Sequence, residues 1–174
     1  MAKEKEEILL VDGYNIIGAW PTLRSLKEKG LEESRNELIQ QMTEYQAYTG
    51  QRVMIVFDAY GVKGLERKIR SGRVDVLFTR EKETADERIE KLAVELQSIR
   101  TQVYVATSDF TEQWSVFGQG ALRKSARELL REVETIQGGI RKSVERTQRS
   151  RPQSKIQLSN EVAEIFEKWR RGDR

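Results

Sequence analysis

The sequence predicts an α/β fold, an open and mainly parallel β-sheet covered by helices on both faces. Short apolar runs ending in an acid recur along the chain, and they alternate with segments whose apolar residues follow a 3.6-residue period. The length of 174 residues corresponds to roughly one domain at ~150 residues each.

Glu7 to Asp12 is a continuous apolar run closed by an acid and followed by Gly13, the pattern of a strand buried on both faces. Arg52 to Asp58 and Gln102 to Asp109 repeat it, and Val74 to Thr79 is a less uniform fourth. Leu38, Ile39, Met42 and Tyr45 mark one intervening helix, and Ile89, Leu92, Ala93, Leu96 and Ile99 mark another. Such alternation implies right-handed β-α-β crossovers. Past Asp109 the strands are expected to stop. Leu122, Ala126, Leu129, Leu130, Val133 and Ile136 read as one helical stripe, broken at Gly138-Gly139. The basic stretch from Arg141 to Lys155 fits either a helix or a mobile linker, and a last helix is expected from Ser159, with Val162, Ile165, Phe166 and Trp169 on one face. The expected organisation is a core over 1–137 and a basic helical extension over 138–174.

Composition excludes whole classes of chemistry. The chain has neither Cys nor His, so thiolate and imidazole catalysis, zinc-finger sites and disulfides are all ruled out. What is left is carboxylates, lysines, hydroxyls and hard cations such as Mg²⁺ or Mn²⁺. Mean hydropathy is -0.67, and no run approaches the ~20 apolar residues of a membrane span. The apolar run at Ile8 to Val11 is too short for a signal peptide, so a cytoplasmic protein with no membrane partner is expected. Charge is asymmetric. Residues 1 to 118 carry 17 Lys and Arg against 20 Asp and Glu, whereas 119 to 174 carry 14 against 8. The basic final third fits a polyanionic partner, and equally a solvated helical face.

In parallel sheets ligands bind beyond the carboxyl ends of the strands. Asp12, Asp58 and Asp109 close three runs at that edge, and Asp86 follows the fourth strand within Glu83 to Glu87. Taken singly, each has an ordinary role: an Asx-turn at Asp12, a Thr84/Glu87 capping box around Asp86, a first helical turn at Asp109. Together they repel one another unless a cation intervenes, which reads as a divalent-metal site. Two such ions activate water and orient a phosphodiester without histidine.

Val11-Asp12-Gly13-Tyr14-Asn15, Val56-Phe57-Asp58, Thr84-Ala85-Asp86-Glu87, Ala106-Thr107-Ser108-Asp109 and Gly118-Gln119-Gly120-Ala121 with Arg123 and Ser125 resemble the YacP-like branch of the NYN nucleases, relatives of PIN domains. The resemblance runs from about residue 7 to 135. It implies a PIN-like fold that cleaves RNA with Mg²⁺ or Mn²⁺ held by Asp12, Asp86 and Asp109. Asp58 would be a fourth acid, and Asn15 would orient a carboxylate or touch a phosphate. It also implies mRNA, presented by the ribosome, as substrate, with no role for DNA.

Lys63, Arg67, Lys68, Arg70 and Arg73 fall within eleven residues and are offset only by Glu66. They read as a basic flap beside the acids, or as a solvated short helix. Arg123, Lys124 and Arg127 follow a glycine turn that lacks the P-loop ending and are further phosphate-binding candidates. Tyr14 and Trp20 suit either base stacking or the core, while Trp114 and Phe117 are expected to pack. The rival from another class is a non-catalytic module docking on ribosomal RNA. A receiver-type switch and a haloacid-dehalogenase-type phosphatase fit poorly, because Asp12 has no second acid beside it or two residues on.

Overall fold

The computed structural model describes residues 5–59, 68–108 and 120–149. The chain divides into two compact units, Met1–Ile136 and Gln137–Arg174. Its elements are β1 (Glu6–Asp12), α1 (Gly13–Ala19), α2 (Pro21–Lys29), α3 (Leu31–Thr49), β2 (Arg52–Phe57), β3 (Lys68–Ser71), β4 (Val74–Phe78), α4 (Ala85–Leu96), β5 (Thr101–Thr107), β6 (Leu122–Ser125) and α5 (Ala126–Arg149).

The six strands form one sheet in the order β3-β4-β2-β1-β5-β6. All neighbours are parallel except β3, which runs antiparallel to β4 at one edge. The apolar runs are continuous because both faces are covered. Leu9, Val11, Val53, Ile55 and Phe57 pack with side chains of α1, α2, α3 and α5. Ile8, Leu10, Met54, Val56, Val103 and Val105 pack with Ala85, Ile89 and Ala93 of α4. From β1 the chain first builds outward through β2 and β4, then returns to β5 on the other side of β1. The C-terminal end of β1 is therefore the topological switch point, where the flanking loops separate and leave room for a ligand.

Several expectations are corrected. Leu122 does not begin a helical stripe. Leu122–Ser125 is a parallel strand, with Tyr104↔Leu122 and Thr107↔Ser125 in register, and Leu122 is half exposed. Helix α5 starts only at Ala126, where the Ser125 hydroxyl accepts from the Glu128 N–H at 3.1 Å. Nor does Gly138-Gly139 break the helix, which continues to Arg149. An interior glycine weakens a helix by about 1 kcal/mol relative to alanine without forcing it to end. In the basic segment, residues 68–73 form strand β3 and a tight turn, with Gly72 at φ 58°, and not a flap or short helix, while Lys63 and Arg67 lie outside the described residues. Trp20 is 1% exposed and its Nε1–H donates to the Ala126 carbonyl at 2.8 Å, so it belongs to the core. The segments holding Trp114, Phe117 and the helix expected from Ser159 lie outside the described residues.

Gly13 is required by a close approach. A Cβ built there would overlap the Phe57 ring, which itself packs on Tyr14 with centroids 5.0 Å apart. Gly13→Ala is expected to destabilise the chain by about 1–3 kcal/mol through overpacking. A chemical-denaturation midpoint equal to wild type would contradict this contact.

Candidate functional site

The sheet delivers its acids to one edge. Asp12 ends β1 at the switch point and is 7% exposed. Asp58 follows the last residue of β2. Asp86 lies in the first turn of α4, where the Thr84 side chain caps the helix by accepting from the Glu87 N–H at 3.2 Å. Burial first, then the charge of Asp86 and a hydrogen bond to it, push the Asp12 carboxyl up to about 8, with a smaller contribution from Asp58. The Asn15 backbone N–H works in the opposite direction, although no capping hydrogen bond of full geometry forms at Asp12. At neutral pH the Asp12–Asp86 pair therefore holds a proton that two separated carboxylates would have released.

Two polar side chains hold the strand ends beside these acids. The Asn15 Oδ1 accepts from the Thr107 hydroxyl at 3.2 Å, the Ser108 hydroxyl at 2.6 Å and the Ser108 backbone N–H. It thereby ties α1 to the end of β5. Asp109, the next residue, lies outside the described residues. Thr79, 1% exposed, accepts from the Ala59 N–H at 2.9 Å, and its hydroxyl points to Asp58 at 3.5 Å.

Among the described residues no three carboxylates enclose a common point at metal-binding distance. The donor set nevertheless fits a hard divalent cation. Asp12, which is buried, and Asp86, which is partly buried, bring carboxylate oxygens together, and a cation there would replace the proton they share.

The predicted cations scatter. The register places Lys68 opposite Leu77, near the acid edge. Arg70 stands opposite Asp75 and Arg73 lies in the turn beyond. At ~3.3 Å per residue that is about 10 and 16 Å back along β4 from its acid-edge end. Both line an open groove of about 880 Å³ with Lys5, Arg52 and Asp75 at the opposite edge of the sheet. For these two the expected position beside the acids is corrected, because the antiparallel turn carries them away. Lys63 and Arg67 lie outside the described residues.

Lys124 is committed elsewhere. Its Nζ sits 2.8 and 2.9 Å from the two carboxylate oxygens of Glu132 and 5.4 Å from the centre of the Tyr104 ring. The Tyr45 hydroxyl donates to the same carboxylate at 2.9 Å, and burial with Glu132 pushes the phenol above its ordinary range. Arg123 is half-buried on β6 opposite Val105, and Arg127 is exposed in the first turn of α5.

Thr79 and Arg35 were not legible as functional candidates in the sequence. Arg35 lies near the start of α3, which runs back from the acid edge, and its Nη1 donates to the Tyr14 hydroxyl at 3.1 Å. The only sequence signal was position. Arg35 is a cation on the first turns of a helix that must return to the opposite edge of the sheet. Tyr14 itself is partly buried, with its ring on Phe57.

Comparison with known proteins gives a consistent picture. The family model described as the YacP-like NYN domain matches residues 9–171. A Bacillus subtilis (strain 168) protein named YacP is 65% identical over 167 residues, 96% of this chain and 98% of its own. The crystal structure of Rae1 (YacP) from Bacillus subtilis is similar, with TM-score 0.73 and 65% identity over 95% of each chain. A tryptophan-to-leucine variant of that protein matches at TM-score 0.73 and 60% identity over 96% of each.

Proposed function

Because the chain belongs to the YacP-like NYN domain family, a family of PIN-like nucleases, we propose that it is a divalent-metal-dependent endoribonuclease that cuts mRNA on the translating ribosome in the cytoplasm and contributes to mRNA decay. The observation that carries this reading is the buried Asp12 coupled to Asp86 at the switch point of the sheet.

Asp12, Asp86 and Asp109 are the residues proposed to hold Mg²⁺ or Mn²⁺. When bound, the ion supplies neutralisation of phosphodiester charge and a water acidic enough to ionise near neutral pH. Asp58 adds negative charge at the same edge, held by Thr79. Asn15 fixes the end of β5 and so sets where the chain leaves toward Asp109. Its side-chain oxygen is already used by Thr107 and Ser108, which favours an orienting role over a phosphate contact. Lys63, Arg67, Lys68, Arg123 and Arg127 remain proposed RNA contacts. The resemblance to this family and the basic balance of residues 119–174 support RNA and the ribosome as partners. No helix among the described residues is long and apolar enough to cross a membrane.

The test is mapping of cut sites on 5'-end-labelled mRNA in a purified translation system with Mg²⁺, comparing wild type with Asp86→Asn, each with and without ribosomes. Expected are cuts by wild type alone, on translated message alone, leaving 5'-phosphate and 3'-hydroxyl ends. Cyclic phosphate ends would contradict the proposed chemistry, and equal cutting of free RNA would remove the ribosome from the proposal. Salt-sensitive ribosome binding with no cutting in any lane would favour a docking module.

A further inference from the structure

We propose that Arg35 binds a backbone phosphate of the RNA strand that crosses the acid edge. The inference deepens the reading above, since it rests on RNA as the substrate, and it assigns a contact that the sequence did not reveal.

Placement comes first. Helix α3 ends at Thr49, just before β2 begins, so its opposite end, with Arg35, lies at the carboxyl edge of the sheet. The guanidinium carbon sits 5.9 Å from the centre of the Phe78 ring. Phe78 is the last residue of β4 and stacks on Phe57, the last residue of β2, with centroids 5.5 Å apart. Asp58 and Thr79 are the next residues along these two strands. Arg35 thus stands at the same edge as the acids, over the face covered by α1 and α3, whereas Asp86 approaches from the α4 face.

The group is also pre-organised and chemically available. Its planar head is held by an aromatic face and by the Tyr14 hydroxyl, which reduces the rotamer freedom lost on binding. Guanidinium carries five N–H donors in a fixed fork, and among the described residues only the Tyr14 oxygen accepts one of them. Glu32 and Glu33 share the first turn of α3, yet neither forms an ion pair with it. A half-buried cation at the same sheet edge as the acids, with no carboxylate partner among the described residues, is suited to a phosphodiester, whose two free oxygens match the fork. It would also counter the repulsion that the acids impose on an incoming strand.

The experiment measures binding of a single-stranded oligoribonucleotide with Mg²⁺ in an Asp86→Asn background. Arg35→Gln is expected to bind about tenfold more weakly at low salt, as for loss of one charge-assisted contact. Its slope of log affinity against log salt should fall by about 0.7, one phosphate's share for a single strand. Arg35→Lys should recover part of the loss. The decisive arm replaces one phosphate at a time by an uncharged methylphosphonate. One position should weaken the Arg35 protein while leaving the Arg35→Gln protein unaffected. A general loss of fold would not single out a position, and thermal unfolding of each variant checks that point directly. Equal affinities, an identical methylphosphonate profile in both proteins, or no RNA binding with Arg35 present would overturn the proposal. Cleavage of translated message by the chain with Asp86 intact, in the purified translation system, is read in parallel. Cutting with no Arg35-dependent phosphate removes this contact alone, and Arg35-dependent binding with no cutting removes the nuclease reading alone.

Discussion

Asp12→Asn is expected to abolish cleavage and, in the metal-free protein above neutral pH, to raise thermal stability. The two effects have one cause. In the unfolded chain the Asp12 carboxyl titrates near 3.8, whereas in the fold burial and Asp86 push it up to about 8. Between those values the folded state binds more protons than the unfolded state, so stability must fall as pH rises. The full contribution is present below about pH 4 and is lost by the time pH passes 8, where Asp12 is ionised in a buried place beside another carboxylate. The loss is on the order of a few kcal/mol. Asparagine keeps the shape, carries no charge, and still offers Asp86 a donor. The unfolding temperature of wild type in chelator should therefore drop between pH 5 and 8.5, and that of Asp12→Asn should stay nearly level. Added Mg²⁺ should raise the wild-type value at pH 8 more than at pH 6 and leave the variant unchanged. Loss of one hard ligand removes several kcal/mol of transition-state stabilisation, a fall of ~10³-fold or more in rate. Parallel pH profiles for the two proteins would remove Asp12 from the role of a coupled buried acid, and full activity in the variant would remove it from the site.

How much of this was legible follows from which interactions are local. Ile8 to Val11, Val53 to Phe57 and Val103 to Ala106 announce themselves because a strand buried on both faces must be apolar at every position. The acids at their ends follow with no further assumption. Leu122–Ser125 carries no such signal. It is four residues long, sits at the sheet edge, and is a strand only because Tyr104 to Thr107 offers it a ladder. The same holds for Lys68–Ser71, whose basic composition reads as surface and whose antiparallel pairing carries Arg70 and Arg73 to the far edge. Charge density in a sequence window marks cations and says nothing of which end of a strand they reach. Lys124 illustrates the complement, since its partner Glu132 is eight residues on and meets it only after β6 and α5 have turned the corner between them. Thr79 and Arg35 depend on neighbours twenty or more positions away, Asp58 and Ala59 for the one, Tyr14 and Phe78 for the other.

Trp20→Ala is expected to be the most destabilising single change in the core, and a comparison with Trp20→Phe decides between packing and base stacking. Trp20 joins α1 to α2 and is buried among residues of the α1–α3 face, with its indole N–H on the carbonyl of Ala126 at the head of α5. One side chain thus closes a contact between residues 106 positions apart. Truncation to alanine leaves a cavity and costs about 3–5 kcal/mol. Phenylalanine keeps most of the apolar volume and loses the hydrogen bond, for roughly 1–2 kcal/mol. Neither change touches Asp12, Asp86 or Arg35. At a temperature well below unfolding, Trp20→Phe should therefore retain wild-type RNA affinity and cleavage, while denaturant midpoints fall in the order wild type, Trp20→Phe, Trp20→Ala. A base-stacking tryptophan would give the opposite pattern, unchanged midpoints with weakened RNA binding. The burial of Trp20 and its bond to Ala126 leave no face on which a base could lie. Tyr14 lies two residues after Asp12, and its position on Phe57 with its hydroxyl toward Arg35 makes it a support for that arginine.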